Sequence, residues 1–211
     1  MKFGTVQTRY AAGGILAHSL VCGRDRFRKG KVLDEKDIRQ LIEFGYDEVV
    51  VARLEDNDTE ENLAAAKVAE NIHFLAEPEN FKKSIAFTGR VNIFANMTGI
   101  IVFDEENLIK ANSIDNMITI ATIPNYSQVT EGSIVATIKI ISYGVITSNL
   151  ETVASLATGT IRLKRPKYLS AHLITTKISR GTSNKSLNAI KKRTDSLGLS
   201  LSVNKDCLLY T

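Results

Sequence analysis

The sequence has little cysteine, histidine or proline and no tryptophan: two cysteines, three histidines and three prolines occur in 211 residues. Cys22 and Cys207 lie far apart, so they supply neither a disulfide framework nor a cysteine-based zinc site. The histidines, His18, His73 and His172, are too widely separated in sequence to form a paired-histidine metal motif. The composition therefore argues against a disulfide-stabilised scaffold, and we predict no metal bound directly by the protein.

The sequence also lacks a long apolar run. The first ten residues, MKFGTVQTRY, have no apolar core of the signal-peptide type. The most apolar stretch, Ile134 to Ile146, is interrupted by Lys139 and is shorter than the roughly 20 residues that a membrane span needs. Together with the reduced cysteines that this composition favours, these features predict a cytoplasmic protein without a membrane partner.

The remaining composition is that of a globular protein, with 44% apolar and 24% charged residues and a net charge of +4. The charge is unevenly distributed. Residues 162–193 contain ten lysines and arginines and no acid, whereas residues 55–61 contain five acids. The acidic segment precedes a predicted helix, where negative charge is stabilised by the helix dipole, so it does not require a metal.

The clearest local signals lie in GKVLDEKDIRQLIEFGYDEVVVARLE. Asp34 is suited to cap a helix, with Asp37 three residues later to complete a capping box. Gly45 is placed to end that helix in the left-handed conformation, and a valine-rich strand follows over residues 48–54. A second helix is predicted from Asp58, with alanines on its apolar face.

Residues 77–80 contain a proline and predict a boundary, after which the pattern changes to strands. The stretches SIAFTGRVNIFA, GIIVFD, NMITIATI and GSIVATIKIISYGV are typical of strands, with short helices expected at 105–111 and from about 148. We predict an α+β fold: a helix and strand subdomain over residues 1–76, a β-rich subdomain over 77–165, and a further unit from 166 to 211.

The C-terminal stretch AHLITTKISRGTSNKSLNAIKKRTDSLG predicts a strand, a polar loop and a helix. It is not a P-loop, because Ser179 and Asn184 occupy positions where that motif needs glycine. A loop between a strand and a helix N-terminus nevertheless suits an anion. The candidate anion-binding residues are Thr175, Thr176, Ser179, Arg180, Gly181, Thr182, Ser183 and Lys185. On the residues alone, a polar surface loop with a serine or asparagine N-cap is the favoured interpretation.

A second basic group lies in GRDRFRKGK. Alternation would place Arg24, Arg26 and Arg28 on one side of an extended segment, with Lys29 and Lys31 nearby. Such a face suits a phosphate or an acidic partner, but solvated charges on an edge strand have the same pattern. The sequence alone leaves both interpretations open.

Several stretches together resemble one family. GGILAHSL, RKGKVLDEKDIRQLIEFGYDEVVVARLE, FTGRVNIFA, ITIATIP and VATIKII are similar to bacterial molybdopterin-binding proteins of molybdenum cofactor biosynthesis. KGKVLDEKDIRQLIEFGYDEVVV is also similar to a segment of molybdopterin molybdenumtransferases. The resemblance runs through most of residues 1–165 and weakens afterwards, and none of these stretches is a catalytic signature.

The resemblance implies that residues 166–211 begin a molybdopterin-binding α/β domain. YLSAHLITT would be its first strand and SNKSLNAIKKRTDSLG its first helix. LSVNKDCLLYT adds one more strand at most, so we expect an incomplete, truncated α/β unit, by nature or by choice of fragment. A lone parallel βα pair cannot bury both faces of a sheet, which leads us to expect a homodimer or a mobile tail.

The expected function is therefore that of a molybdopterin-binding or scaffold protein that is catalytically incomplete. Its partners would be a pterin ligand, a second copy or other cofactor-biosynthesis proteins. One alternative is a nucleic-acid-binding or anion-binding module that uses the basic C-terminal region, although Tyr168 is the only aromatic residue there and nucleic acid is not favoured. Another is a fragment of an active molybdopterin nucleotidyltransferase or molybdenumtransferase, with no catalytic residue identified.

Overall fold

The computed structural model describes residues 1–74, 78–177 and 184–208, and these form a mixed α+β fold. The α+β class predicted from the sequence is confirmed. The helices are α1 (Glu35–Glu43), α2 (Glu61–Phe74), α3 (Glu105–Ile114), α4 (Thr147–Ala157) and α5 (Asn184–Ser196). The strands are β1 (Lys2–Gln7), β2 (Ile15–Leu16), β3 (Leu20–Cys22), β4 (Asp25–Phe27), β5 (Glu48–Arg53), β6 (Asp58–Glu60), β7 (Phe81–Lys83), β8 (Arg90–Ala95), β9 (Gly99–Phe103), β10 (Ile118–Thr122), β11 (Gln128–Val129), β12 (Ile134–Ile140), β13 (Gly144–Ile146), β14 (Ile161–Lys164), β15 (Ser170–Lys177) and β16 (Ser200–Leu208).

The N-terminal unit is built on strand β5, which lies between β1 and β2 and pairs with both in antiparallel register. Its valines alternate so that Val49 and Val51 are buried. They share a core with Leu33, Ile38 and Leu41, which α1 and its entry loop supply. The short β3–β4 hairpin extends this unit and adds the buried side chains of Cys22 and Phe27 to the same core.

The start of α1 has the predicted capping box. The Asp34 carboxylate accepts hydrogen bonds from the backbone N–H groups of Lys36 at 2.9 Å and Asp37 at 2.8 Å. The Asp37 carboxylate accepts in return from the Asp34 N–H at 3.0 Å. At the other end, Gly45 has a φ of +81°, which confirms the predicted left-handed stop.

The larger body surrounds helix α2. Two antiparallel sheets, in the orders β10-β12-β8-β7 and β11-β9-β14, share one hydrophobic core with α2, α3 and α4. Ala64, Ala65, Val68 and Ala69 of α2 are completely buried in it. Because α2 shares its core with the β-rich segment, the packing groups these elements together, while the division between residues 76 and 77 stays a prediction.

The beginning of α2 differs from the prediction. Asp58 does not cap the helix, because residues 58–60 form strand β6, which pairs with β13. The Asp58 carboxylate instead accepts from the Glu55 N–H at 2.8 Å. The Glu60 carboxylate caps α2 by accepting from the N–H groups of Asn62 at 2.9 Å and Leu63 at 3.0 Å. The pairing partner of this strand lies 84–88 residues away in sequence, so the local sequence does not indicate where the helix begins.

None of the helices in the described ranges combines the length and the apolar composition that a crossing of the bilayer requires.

Adjacent residues of α1 provide a test of the N-terminal core. Leu41 is fully buried, whereas Ile42 is 50% exposed. We expect Leu41→Ala to lower the free energy of unfolding by about 2–5 kcal/mol, because the loss of burial is accompanied by a cavity. The matched control, Ile42→Ala, should lose about 1 kcal/mol or less. Urea unfolding followed by circular dichroism measures both, and equal losses would contradict the described orientation of α1.

Candidate functional site

The residues predicted to bind an anion belong to a C-terminal βαβ unit. β15 and β16 run parallel, with Ser170 opposite Ser200 and Lys177 opposite Leu208, and α5 connects them. In such a unit the carboxyl end of the first strand and the first turn of the helix lie at the same edge of the sheet. That edge is where backbone N–H groups of a helix can meet an anion.

The structure describes part of this predicted site. Thr175 and Thr176 lie in the last residues of β15, and Lys185 is exposed in the first turn of α5. Five further predicted residues lie outside the described residues: Ser179, Arg180, Gly181, Thr182 and Ser183. The predicted strand and helix are therefore present, and the loop between them stays a prediction.

The opposite end of this unit contacts the main body. The Gln128 side-chain amide donates a hydrogen bond of 2.7 Å to the carbonyl oxygen of Ser196, the last residue of α5. Beside it, Tyr168, Leu197 and Leu199 line a cavity of about 240 Å³ together with residues of β9 and the end of β14. The predicted anion-binding edge, at the first turn of α5, therefore lies at the other end of this helix from the contact with the body.

A second candidate site is a groove between the N-terminal unit and the larger body. It has a volume of about 790 Å³ and two walls, and we call it the basic groove. Its first wall consists of Asp25, Arg26, Phe27, Arg28, Lys29, Gly30, Lys31, Asp34, Lys36, Asp37 and Gln40, and its second wall consists of Glu61, Asn62, Phe87 and Thr88.

The predicted row of arginines is only partly present. Arg24 belongs to the two-residue turn between β3 and β4 and does not line the basic groove. Arg26 lies in β4, and Arg28 directly follows the strand. The prediction of three aligned arginines was therefore wrong for Arg24, because the hairpin turns at that residue. Arg26 and Arg28 do line the same groove, together with Lys29 and Lys31.

The carboxylates of the first wall already have partners within the protein. Asp37 forms an ion pair with Lys31, and Asp34 caps α1. Asp25 accepts a hydrogen bond of 3.0 Å from the Gln40 side-chain amide.

By contrast, four cations of this wall have no carboxylate within 4.0 Å in the part of the chain that the structure describes: Arg26, Arg28, Lys29 and Lys36. The first wall therefore presents positive charge that the described residues do not neutralise.

Lys29 is the most firmly positioned of these cations. Its backbone N–H donates to the Ser19 hydroxyl at 3.0 Å. Its ammonium group lies 5.4 Å from the ring centroid of Tyr143, a cation–π contact with a ring that is almost completely buried. Tyr143 in turn donates through its hydroxyl to the Ala17 carbonyl oxygen at 3.0 Å. These contacts join the N-terminal unit to the larger body beside the groove.

The second wall contains a strained turn. Thr88 and Gly89 form a two-residue hairpin turn, with φ angles of +48° and +67°. Phe87 and Arg90 close it through two backbone hydrogen bonds of 3.1 Å each. Positive φ at both positions defines a type I′ turn, in which a β-branched residue such as Thr88 is strained. The Gly89 N–H donates to the Asn62 side-chain oxygen at 3.0 Å, which fixes the turn on the start of α2.

This turn presents Phe87 to the groove. The Phe87 side chain is 77% exposed, unusual for a phenyl ring, while its backbone is held in the hairpin. Glu61 and Asn62 complete the wall at the first turn of α2. Burial raises the pKa of the Glu61 carboxyl, Glu60 raises it further, and the nearby Lys29 ammonium lowers it.

The second wall was not predicted from the sequence. The Thr-Gly pair between two strand-like stretches was a turn signal, but nothing local indicated that the turn would face GRDRFRKGK. That juxtaposition depends on how two separate cores pack, and Arg26 and Phe87 lie 61 residues apart in sequence.

Comparison with known proteins adds one finding for the N-terminal unit. Residues 5–53 match a family model described as a domain of unknown function, DUF8806. The matched range extends from β1 to the end of β5 and so coincides with the N-terminal unit, including its basic hairpin. Neither a curated protein nor a solved structure gives a significant match to the chain.

Substitutions in the Thr88–Gly89 turn should have opposite effects. Thr88→Asn should raise the free energy of unfolding by about 1 kcal/mol, because asparagine tolerates a positive φ better than a β-branched residue. Gly89→Ala should lower it by about 2 kcal/mol or more, since the new Cβ would lie 2.8 Å from the Ile140 carbonyl oxygen at a φ of +67°. Chemical denaturation measures both, and shifts of the same sign would argue against the described turn.

Removal of Lys29 should change the titration of Glu61. Because the Lys29 ammonium lowers the pKa of this carboxyl, Lys29→Met should raise that pKa further above its ordinary value. Lys36→Met is the control, since it removes another cation of the same wall that is not among the groups acting on Glu61. Carboxyl chemical shifts followed by NMR between acid and neutral pH would show the difference. An unchanged Glu61 pKa in Lys29→Met would contradict the described proximity of the two walls.

Proposed function

We propose that the protein is a molybdopterin-binding or scaffold protein related to molybdenum cofactor biosynthesis, and that the β15–α5 edge holds the phosphate of the pterin. The observation that supports this proposal is the parallel pairing of β15 with β16 around α5. A helix that connects two parallel strands begins at the edge of the sheet where the first strand ends. α/β proteins bind phosphate groups at such an edge.

The residue types at this edge suit a phosphate ester. Thr175 and Thr176 end the strand, and Lys185 lies in the first turn of the helix. Threonine hydroxyls and backbone N–H groups donate hydrogen bonds to phosphate oxygens, and lysine or arginine supplies charge. A phosphate at an exposed edge remains in contact with water, so we expect weak binding that decreases as salt screens the charges.

The proposal includes a second copy of the chain as a partner. The segment of Tyr168, Leu169 and Ile174 is exposed, with Leu169 at 74% and Ile174 at 61%. A two-stranded sheet with exposed apolar side chains is stabilised when another strand or surface covers it. In this proposal, other proteins of cofactor biosynthesis could cover the same exposed side chains. The proposal also places the protein in the cytoplasm.

The pterin site is tested by titration of the full chain with a pterin phosphate ester at low salt. We expect a dissociation constant in the millimolar range, about −4 kcal/mol of binding free energy. The double variant Arg180→Ala, Lys185→Ala should weaken binding at least fivefold, because it removes two cations from the proposed edge.

The control for this titration is the double variant Lys191→Ala, Lys192→Ala. It removes the same charge from exposed positions in later turns of α5. Its affinity should stay within twofold of the unchanged protein. Equal losses in the two double variants would show only a general attraction of anions to a basic helix. Unchanged binding in Arg180→Ala, Lys185→Ala would place the ligand elsewhere.

A further inference from the structure

The basic groove has the position and size of a ligand site. It lies between two separate hydrophobic cores, and clefts between such units are favoured binding places for small molecules. Its volume of about 790 Å³ falls within the range of about 300–1,000 Å³ usual for ligand pockets. Among the residues that the structure describes, the lining of the groove includes none from the β15–α5 edge.

Charge in the groove favours an anion. The described carboxylates of the first wall are hydrogen-bonded, paired or used as a helix cap, whereas Arg26, Arg28 and Lys29 have no carboxylate within 4.0 Å in the described ranges. Arg26 and Arg28, which are separated by one residue, offer the forked N–H donors that match phosphate oxygens. Lys29 adds a cation fixed by its contact with Tyr143. A dianionic or more highly charged phosphate group fits this wall.

The second wall favours an aromatic ring with hydrogen-bond donors. Phe87 presents its ring to the cavity from a rigid hairpin, and planar heteroaromatic rings stack on such side chains. Glu61 lies beside it on the same wall, and its carboxylate can accept hydrogen bonds from ring N–H and exocyclic amino groups. The Asn62 side-chain oxygen already accepts from the Gly89 N–H, and Glu61 supplies the carboxylate acceptor among the lining residues of this wall.

We propose that the basic groove binds a phosphorylated, amino-substituted heteroaromatic compound, with its phosphate on Arg26, Arg28 and Lys29 and its ring on Phe87 near Glu61. Nucleotides and pterin phosphates share this chemistry. Each feature of the ligand has a counterpart on one wall: the phosphate faces the hairpin of the N-terminal unit, and the ring faces the turn of the larger body. Binding would therefore join the two units.

The proposal is tested by calorimetric titration of the full chain with three probes: ATP, a pterin phosphate ester and inorganic pyrophosphate. Arg26→Gln, Arg28→Gln should weaken all three at least tenfold, since each probe carries phosphate. Phe87→Ala should weaken ATP and the pterin phosphate at least fivefold and leave pyrophosphate within twofold, because pyrophosphate has no ring to stack. The ratio of the affinities for ATP and for the pterin phosphate shows whether the natural ligand is a nucleotide or a pterin phosphate.

The matched control is Arg24→Gln, Arg39→Gln. Both arginines are exposed and belong to the same unit, but neither lines the basic groove. Binding of all probes should stay within twofold in this control. With ATP as the probe, Arg180→Ala, Lys185→Ala should leave the affinity within twofold, whereas Arg26→Gln, Arg28→Gln should lower it at least tenfold. This contrast separates the groove from the site proposed at the β15–α5 edge. Unfolding midpoints of all variants confirm that they fold.

Three results would overturn the proposal. The first is the absence of ATP and pterin phosphate binding at millimolar concentration. The second is an equal loss in the control and in Arg26→Gln, Arg28→Gln, which would indicate non-specific attraction. The third is affinity for single-stranded RNA that grows with its length and exceeds that for ATP, which would make the groove part of a nucleic-acid surface.

Discussion

The close packing of α2 is the constraint on which the rest of the larger body depends. Its buried side chains are three alanines, Val68 and Ile72, and the small alanines let β8, β12 and α4 approach its backbone. The same helix holds the Thr88–Gly89 turn through Asn62, and its first turn supplies Glu61 to the basic groove. A larger side chain at Ala64 or Ala65 would disturb both the core and the second wall, because an overpacked core shifts the backbone.

The basic groove also depends on contacts between two cores that are separately packed. The Tyr143 hydroxyl bond to Ala17 crosses 126 residues of sequence, and the Tyr143 ring also positions Lys29. A hydrogen bond in this buried setting is costly to lose, because its donor would remain unsatisfied. The buried tyrosine thus couples the arrangement of the two units to the position of a cation in the groove, and a ligand that contacts both walls would stabilise the same arrangement.

Two basic regions of the chain differ in what they offer. The cations of α5, such as Lys191 and Lys192, are exposed on a helix surface, where charges are strongly screened. Arg26 and Arg28 instead border a concave surface with an aromatic side chain opposite them. Concave sites concentrate the field of a few charges and exclude part of the water. This difference is the reason why we propose an exposed, salt-sensitive phosphate contact in one place and a site for a small molecule in the other.

The features that could be predicted from the sequence are those caused by side chains close to one another along the chain. The capping box of α1, the glycine stop at Gly45, the helices α3 and α4 and the strand-helix-strand order at the C-terminus were all predicted, because each follows from nearby side chains. Tertiary structure alone decided the rest. Asp58 lies in a strand because β13 pairs with that segment. Phe87 lines the same groove as Arg26 and Arg28 because the two hydrophobic cores pack side by side. Pairing and packing across such separations depend on complementary surfaces of the whole fold, which no local pattern of residues specifies.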